Sequence, residues 1–311
     1  MGIKNYEIFK NHLHKCEWPK TAILSFDCQL FLWKASTTMK EELSPANIAK
    51  ALMNYVERWT SIISRKTHVT EVYCFFDGVR PKMKIPTSRK RRFYNKIKLP
   101  SHSSVVHEEF KKIPTKYNLK IKVGKEAEFE MFHSRDPTQN NILISRDSDL
   151  LLLTIDYKKK SPKDNVFIFD LDNLYDCRTK QSRSFNILLN ILLGTDFNES
   201  ILTRSMVDAI YKENQFIDFE IETAKDLELA ILKLLIILKK SNTSYFMPLR
   251  KSKLSGSNEK FSERLLWVYK YFKNYDIDFD YENFTTIDSK SYLSYITGKM
   301  YNTDINSFLK K

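Results

Sequence analysis

Short apolar runs separated by longer amphipathic stretches organise the first part of the chain. Thr21–Phe26, Val69–Phe76, Leu119–Val123, Ile142–Ile144 and Val166–Phe169 read as strands, the Ile142–Ile144 run being apolar and mostly β-branched. Between the first two, Ser44 and Pro45 have the cap and first-turn chemistry that opens a helix. Its apolar positions Ile48, Leu52, Tyr55, Trp59 and Ile62 recur at spacings of three and four, the period of one helix face, and are expected in the core. A second amphipathic stretch, Ser103–Ile113, carries Val106, Phe110 and Ile113. Phe185–Leu193 is strongly apolar and predicts a further buried element. Beyond it, Asp226–Lys240 and Phe261–Tyr275 read as amphipathic helices. The Lys239–Lys260 link between them holds Ser252, Ser255, Gly256 and Ser257 and predicts a mobile basic loop. No internal repeat is present. The pattern predicts an α/β domain with parallel strands, followed by a helical C-terminal part.

A length of 311 residues suffices for one large domain or two small ones. With 51 Lys and Arg against 38 Asp and Glu, the net charge of +13 favours a polyanionic partner, either nucleic acid or an acidic membrane. Aromatic residues, 13% of the chain, can stack on bases, which tilts the balance towards nucleic acid. A merely Lys-rich protein encoded by AT-rich DNA would share this composition, since Asn, Ile, Lys and Tyr are all abundant. Cys16, Cys28, Cys74 and Cys177 show no C-x-x-C spacing. Cys28 and Cys74 fall in or beside expected core strands, as reduced, buried thiols of an intracellular protein would. No signal peptide, transit peptide or apolar run of membrane-spanning length is present. Met1-Gly2-Ile3-Lys4-Asn5-Tyr6 lacks the Ser or Thr that a myristoylation site carries at its sixth position. A soluble protein with no membrane partner is expected.

Acidic residues recur where the expected elements end. Asp27 follows the first strand directly and Asp77-Gly78 the second. Glu126-Ala-Glu128 comes shortly after Leu119–Val123, Asp147-Ser-Asp149 shortly after Ile142–Ile144, and Asp196 shortly after Phe185–Leu193. The rim where parallel strands end is where α/β sheets bind ligands. Carboxylates gathered there repel one another unless cations neutralise them. Hard oxygen donors in that number suit Mg²⁺ or Mn²⁺. A plainer reading stands beside this one for each pair alone: Glu126 and Glu128 as solvated acids of a helix start, Asp147 and Asp149 as caps of the next helix. Gly78 would permit a tight turn after Asp77.

Between Lys82 and Lys98 lie Lys82, Lys84, Arg89, Lys90, Arg91, Arg92, Lys96 and Lys98, with no acid among them. Pro86-Thr-Ser before this run and Pro100 after it frame a helix of about 12 residues, roughly 18 Å long. Together with Ser103–Ile113 it would make two short helices broken at Pro100, a basic flap over the acidic rim. Its position after Asp77 favours phosphate contact. A nuclear-localisation patch at Arg89–Arg92 and a plain solvated face are the other readings.

In order, Asp27, Asp77, Glu126, Glu128, Asp147, Asp149 and Asp196 resemble the seven-carboxylate site of the flap endonuclease/XPG family, metal-dependent 5′ nucleases built on a PIN-like α/β core. The resemblance runs from Met1 to about Asn214. Met1-Gly2-Ile3 is similar to the family's N-terminal Met-Gly-Ile, whose glycine becomes the amino terminus near the active site. Ser25-Phe26-Asp27 resembles the first catalytic Asp after a strand, and Phe75-Phe76-Asp77-Gly78 the Phe-Asp-Gly signature. Glu126-Ala-Glu128 resembles the Glu-Ala-Glu-Ala block, Asp147-Ser-Asp149 the Asp-x-Asp block, and Leu193-Gly-Thr-Asp196-Phe the Leu-Gly-x-Asp-Tyr block.

The resemblance implies a PIN-like 5′-nuclease core over 1–215, a parallel sheet flanked by helices, with a basic helical arch over 80–118 and a helical, Lys-rich region over 216–311. It implies an enzyme that hydrolyses phosphodiester bonds of DNA with a flap, a nick or a single-stranded 5′ end, in replication, repair or recombination. Two Mg²⁺ or Mn²⁺ ions would have Glu126, Glu128, Asp147 and Asp149 as nearest ligands, with Asp27, Asp77 and Asp196 completing the sites. Lys84 and Arg91 match the two arch cations beside the scissile phosphate. Arg89, Lys90 and Arg92, with Gly2, would contact nucleic acid. Trp33 stands where the family carries a base-stacking aromatic, and a core Trp is the plainer reading.

The chain also departs from the family. From Asn198 to Ile210 there is no glycine, where the family opens a helix-two-turn-helix on a Gly-rich turn that holds duplex backbone and K⁺. A backbone without glycine approaches phosphate less easily. The stretch between Asp77 and Glu126 is shorter than in cellular members, and no sliding-clamp-binding motif lies near the C-terminus. This compact pattern is similar to flap-endonuclease-like proteins of large DNA viruses. A monomer is expected, acting in the nucleus or at a viral replication site. Two other functions stay open: a non-catalytic nucleic-acid-binding protein on the same fold, and an RNA-directed 5′ exonuclease of related architecture. Retention of all seven acids argues against the first.

Overall fold

The computed structural model describes residues 13–32, 44–86, 103–155, 165–177, 181–212, 216–241, 256–273 and 277–300. Of these, the residues between 9 and 179 form one compact unit and those between 180 and 311 form another.

The first unit runs β1 (His14–Lys15), β2 (Thr21–Asp27), α1 (Pro45–Ile63), β3 (His68–Phe76), α2 (Ser103–Lys111), β4 (Leu119–Val123), α3 (Ala127–His133), β5 (Asn140–Ile144), α4 (Ser148–Thr154), β6 (Asn165–Phe169) and β7 (Leu174–Asp176). The strands form one seven-stranded sheet in the order β1-β7-β6-β5-β2-β3-β4. From β6 to β4 every pairing is parallel, and β7 and β1 add an antiparallel edge. β2 is buried from Ala22 to Asp27, as a strand covered on both faces must be. Alternation divides its side chains between two layers. Ala22, Leu24 and Phe26, with Val72, Cys74 and Phe76 of β3 and Ile142 and Ile144 of β5, face α1 and α2 in one core. On the other face α3 lies against β2 and β3 and packs with α4. At the far edge, β4 carries Lys120 and Lys122 on its solvent side, a charge pattern that discourages edge-to-edge pairing.

Ser44 caps α1 as its sequence predicts, its Oγ accepting from the Asn47 N–H at 3.2 Å. The buried face of α1 is rotated from the expected one. Ile48 and Leu52 are buried, but the seam continues through Ala49, Met53, Val56, Thr60 and Ile63, while Tyr55 and Trp59 pack at the margin of the core. Large rings with a polar tip suit such a margin, where one end stays wet. Val106 and Phe110 of α2 are buried and Ile113 packs on the same cluster. Cys16, Cys28, Cys74 and Cys177 are all free thiols, the last three buried.

The second unit is helical: α5 (Arg183–Leu193), α6 (Arg204–Lys212), α7 (Ala224–Ser241), α8 (Gly256–Lys273) and α9 (Ser289–Met300). Helix α5 is buried from Ser184 through Leu193, which makes it the hub expected of the Phe185–Leu193 run. α8 begins at Gly256, inside the stretch expected to be a loop, because Asn258 and Phe261 are buried and draw that turn into the packing. Glu228 joins α7 to its neighbours, its Oε1 accepting from Ser262 Oγ at 2.6 Å and from Tyr295 OH at 3.1 Å. Among the described residues no helix is long and apolar enough to cross a membrane.

Candidate active site

β2 stands at the point where the chain changes direction across the sheet. It runs outward from β2 to β3 and β4 on one side, then to β5 and β6 on the other. Ligands of open parallel sheets bind outside the carboxyl ends of the strands at such a point. The register aligns those ends: Asp27 pairs with Phe75, Phe26 with Ile144, and Phe76 with Val123. Asp27, Asp77, Glu126 and Asp147 therefore leave adjacent strands on one rim.

Asp27 closes β2 with its carboxylate buried. Its Oδ1 accepts from the Leu30 N–H at 3.1 Å and its Oδ2 from Ser145 Oγ at 2.7 Å. Burial pushes its pKa up to about 7 despite the Ser145 hydrogen bond, with repulsion from Asp147 and Asp77 adding to the effect. Asp77 does two jobs. Its Oδ1 accepts from the Ala127 N–H at 3.0 Å, so it caps α3 from another loop, and its Oδ2 pairs with Arg80 Nη2 at 2.5 Å.

That arrangement releases Glu126. It occupies the cap position of α3, yet its side chain makes no capping hydrogen bond. Its Oε2 instead meets Lys84 Nζ at 2.9 Å, and the same ammonium lies 3.2 Å from Glu128 Oε1 and 3.1 Å from Asp149 Oδ2. Glu126, Glu128 and Asp149 are 3%, 6% and 0% exposed, so the solvated reading of the first pair does not hold. Burial holds Glu128 well above the usual carboxylate range; Lys84 opposes this, and Glu126, Asp147 and Asp77 reinforce it. For Asp147 the capping reading is correct: its Oδ1 accepts from the Asp149 N–H at 3.0 Å. Asp149, in the first turn of α4 (Ser148–Thr154), serves the ion pair instead.

Two glycines join the loops that carry these acids. The Gly78 N–H donates to the Lys125 carbonyl at 3.0 Å and the Val79 N–H to the Gly124 carbonyl at 2.8 Å. A Cβ on Gly78 would stand 2.0 Å from the Gly124 carbonyl oxygen, so close approach, not a tight turn, is what requires this glycine. Gly78→Ala is expected to force the loops apart and lower stability by about 1–3 kcal/mol, read from the denaturant midpoint.

Sequence reasoning singled out neither Ser145 nor Arg80. The Ser145 hydroxyl donates to Asp27 and accepts from the Asp147 N–H at 2.9 Å, tying the ends of β2 and β5 together. A serine two residues before an acid has no periodic or compositional mark. Ser145→Ala is expected to cost about 1–3 kcal/mol, because it leaves a buried carboxylate oxygen without its donor. A urea denaturation series with Ser145→Thr as the restoring variant checks this.

Asp196 belongs to the second unit, where it is buried beyond Gly194, whose φ of 95° favours glycine. Thr195 Oγ1 holds this turn by donating to Asn198 Oδ1 at 2.8 Å, and Phe197 is sunk among Trp267, Tyr271 and Phe272. Gly2, Trp33, Arg89, Lys90, Arg91 and Arg92 lie outside the described residues, as does most of the expected basic helix.

Among the described residues no three His, Cys, Asp or Glu side chains are gathered into a metal-coordination set. The point that Glu126, Glu128 and Asp149 share is taken by the Lys84 ammonium. The donors themselves fit a hard divalent ion: carboxylate oxygens, buried, already converging on one cation.

The sequence matches no protein-family model and no curated protein. Solved structures do match. Two structures of the catalytic core of Rad2 in complex with DNA substrate align at TM-scores of 0.50 and 0.51, with 12% and 13% identity. They cover 97% and 96% of this chain and 95% and 93% of theirs. A bacteriophage T5 flap endonuclease with DNA and metal ions covers 81% of this chain and 90% of its own, at 12% identity and a TM-score of 0.45. With its mainly parallel sheet flanked by helices and acids along the carboxyl rim, this chain has the PIN-like fold of the flap endonuclease/XPG nucleases.

Proposed function

We propose that the chain is a metal-dependent 5′ nuclease of the flap endonuclease or 5′ exonuclease type. One observation carries this reading. Four neighbouring parallel strands deliver Asp27, Asp77, Glu126, Glu128, Asp147 and Asp149 into one electrostatic neighbourhood, where Arg80 meets Asp77 and the single Lys84 ammonium meets three carboxylates. A fold shared with a nuclease core solved on its DNA substrate, and a net charge of +13, support DNA as the polyanion.

Glu126, Glu128, Asp147 and Asp149 would hold two Mg²⁺ or Mn²⁺ ions directly or through water, and Asp27, Asp77 and Asp196 would complete and orient the sites. When bound, such ions supply an activated water and neutralise charge on the scissile phosphate. Ser145 and the Gly78–Gly124 contact keep the carboxylates in register. Lys84, and Arg91 in the arch proposed over 80–118, stabilise charge developing on the phosphoryl oxygens. Arg89, Lys90 and Arg92 contact backbone phosphate, Gly2 lies beside the substrate, and Trp33 stacks on an unpaired base near the cut. The nuclease core is taken as 1–215, the protein as a monomer, and its work as DNA replication, repair or recombination in the nucleus or at a viral replication site.

Purified protein with Mg²⁺ on end-labelled flap, nicked and single-stranded DNA, and on RNA, tests this. Cleavage from the 5′ side that EDTA abolishes is expected. RNA cut in preference to every DNA would move the substrate class to RNA. Binding without cleavage across Mg²⁺ and Mn²⁺ would make the chain a non-catalytic nucleic-acid-binding protein.

A further inference from the structure

We propose that the Lys84 ammonium is the resident counter-ion of the acidic pocket, and that it and a divalent ion hold Glu126, Glu128 and Asp149 in mutually exclusive states. The inference rests on the nuclease reading, and it gives Lys84 a second role, before substrate arrives. An ammonium has three N–H donors and no acceptor. Here Glu126 Oε2 at 2.9 Å and Glu128 Oε1 at 3.2 Å accept hydrogen bonds from it, and Asp149 Oδ2 adds an ion-pair contact at 3.1 Å. Lys84 is 8% exposed, so this is a buried head group set among carboxylates that outnumber it, not a surface ion pair.

A divalent ion would need the same oxygens at about 2.0–2.1 Å for Mg²⁺. Oxygens drawn to about 3 Å around one nitrogen would have to shift to close around a divalent ion, and two cations so near would repel. Lys84 ends a short 3-10 turn, Lys82–Lys84, and its four-carbon stem lets the head leave without moving the backbone. Metal entry would therefore release a cation at the rim, where a phosphate would next be met.

The test uses the whole chain without nucleic acid. Mn²⁺ binding is measured by titration calorimetry on the wild type and on Lys84→Met, which keeps the stem and removes the charge. Lys84→Met is expected to bind Mn²⁺ at least about tenfold more tightly, and to melt at a lower temperature than wild type when metal-free. In the wild type, amine acylation read by mass spectrometry is expected to find Lys84 protected without metal and labelled as Mg²⁺ is added. This second measurement needs no variant and stands if Lys84→Met fails to fold. Equal Mn²⁺ affinity, or Lys84 still protected once metal has bound, overturns the exclusion and leaves the metal site standing. No metal bound by either protein overturns the exclusion together with the metal-dependent reading.

Discussion

Replacing Asp147 and Asp149 together by alanine is expected to lower phosphodiester cleavage in Mg²⁺ by at least about a thousandfold, with nucleic-acid binding little changed. The structure separates the two effects of this change. Asp147 also caps α4, and losing a cap costs on the order of 1 kcal/mol, a modest loss for a folded unit. Asp149 is buried against Lys84 and shares that ammonium with Glu126 and Glu128, so its removal leaves the lysine paired. The double variant should fold, bind and fail to cut. Single-turnover cleavage, with a thermal melt and a binding isotherm on the same sample, checks all three. Cleavage near the wild-type rate in a folded variant would remove these carboxylates from the chemistry.

Metal-free protein is expected to lose stability as pH rises from about 4 to about 7, and Mg²⁺ to restore it. The sign comes from Asp27. Its folded pKa is raised from 3.8 to about 7, so between those values the native state holds a proton that the unfolded chain has released. Through Asp27, stability therefore falls with pH across that window. Three units correspond to ~4 kcal/mol at most, at 1.36 kcal/mol per unit. Glu128, also raised, acts in the same direction. Exposed acids whose pKa is lowered, such as Asp136 and Asp226, act in the opposite sense, but below their ordinary values and outside this window. A divalent ion favours the ionised carboxylates and binds only the folded chain, so it should raise the melting temperature most at pH 7 and above. Asp27→Asn should flatten the metal-free profile. A profile that rises between pH 4 and 7, with no response to Mg²⁺, would mean these acids are not under mutual strain.

Local chemistry made much of the fold legible. Thr21–Phe26 and Ile142–Ile144 read as buried strands because a strand covered on both faces is apolar through most of its length; strands form there over Thr21–Asp27 and Asn140–Ile144, and α1 opens where Ser44 and Pro45 place it. Where the signal was composition alone, it misled. Of the Lys239–Lys260 stretch expected as a loop, residues 242–255 lie outside the described ones, but Gly256–Lys260 already belongs to α8, where Asn258 is buried. β1, of two residues, exists only because it pairs with β7 far along the chain, so no local pattern marks it, whereas the three residues of β7 turn back directly on β6.

The acids themselves were written in the sequence, each a short step beyond a strand or helix, because a parallel sheet puts every strand end on one rim. Their partners were not. Lys84 and Glu126 are 42 residues apart, and Ser145 and Asp27 are 118 apart. Sequence alone allowed Glu126 to be a solvated helix acid, since an N-cap position looks the same whichever side chain fills it. Only the tertiary structure brings Asp77 across to cap α3 and leaves Glu126 for Lys84. Residue types and their spacing set which charges reach the rim. Their burial, and so their pKa and their counter-ions, depends on which loops the Gly78–Gly124 contact and the β2–β5 pairing bring together, a through-space property that a linear pattern does not encode.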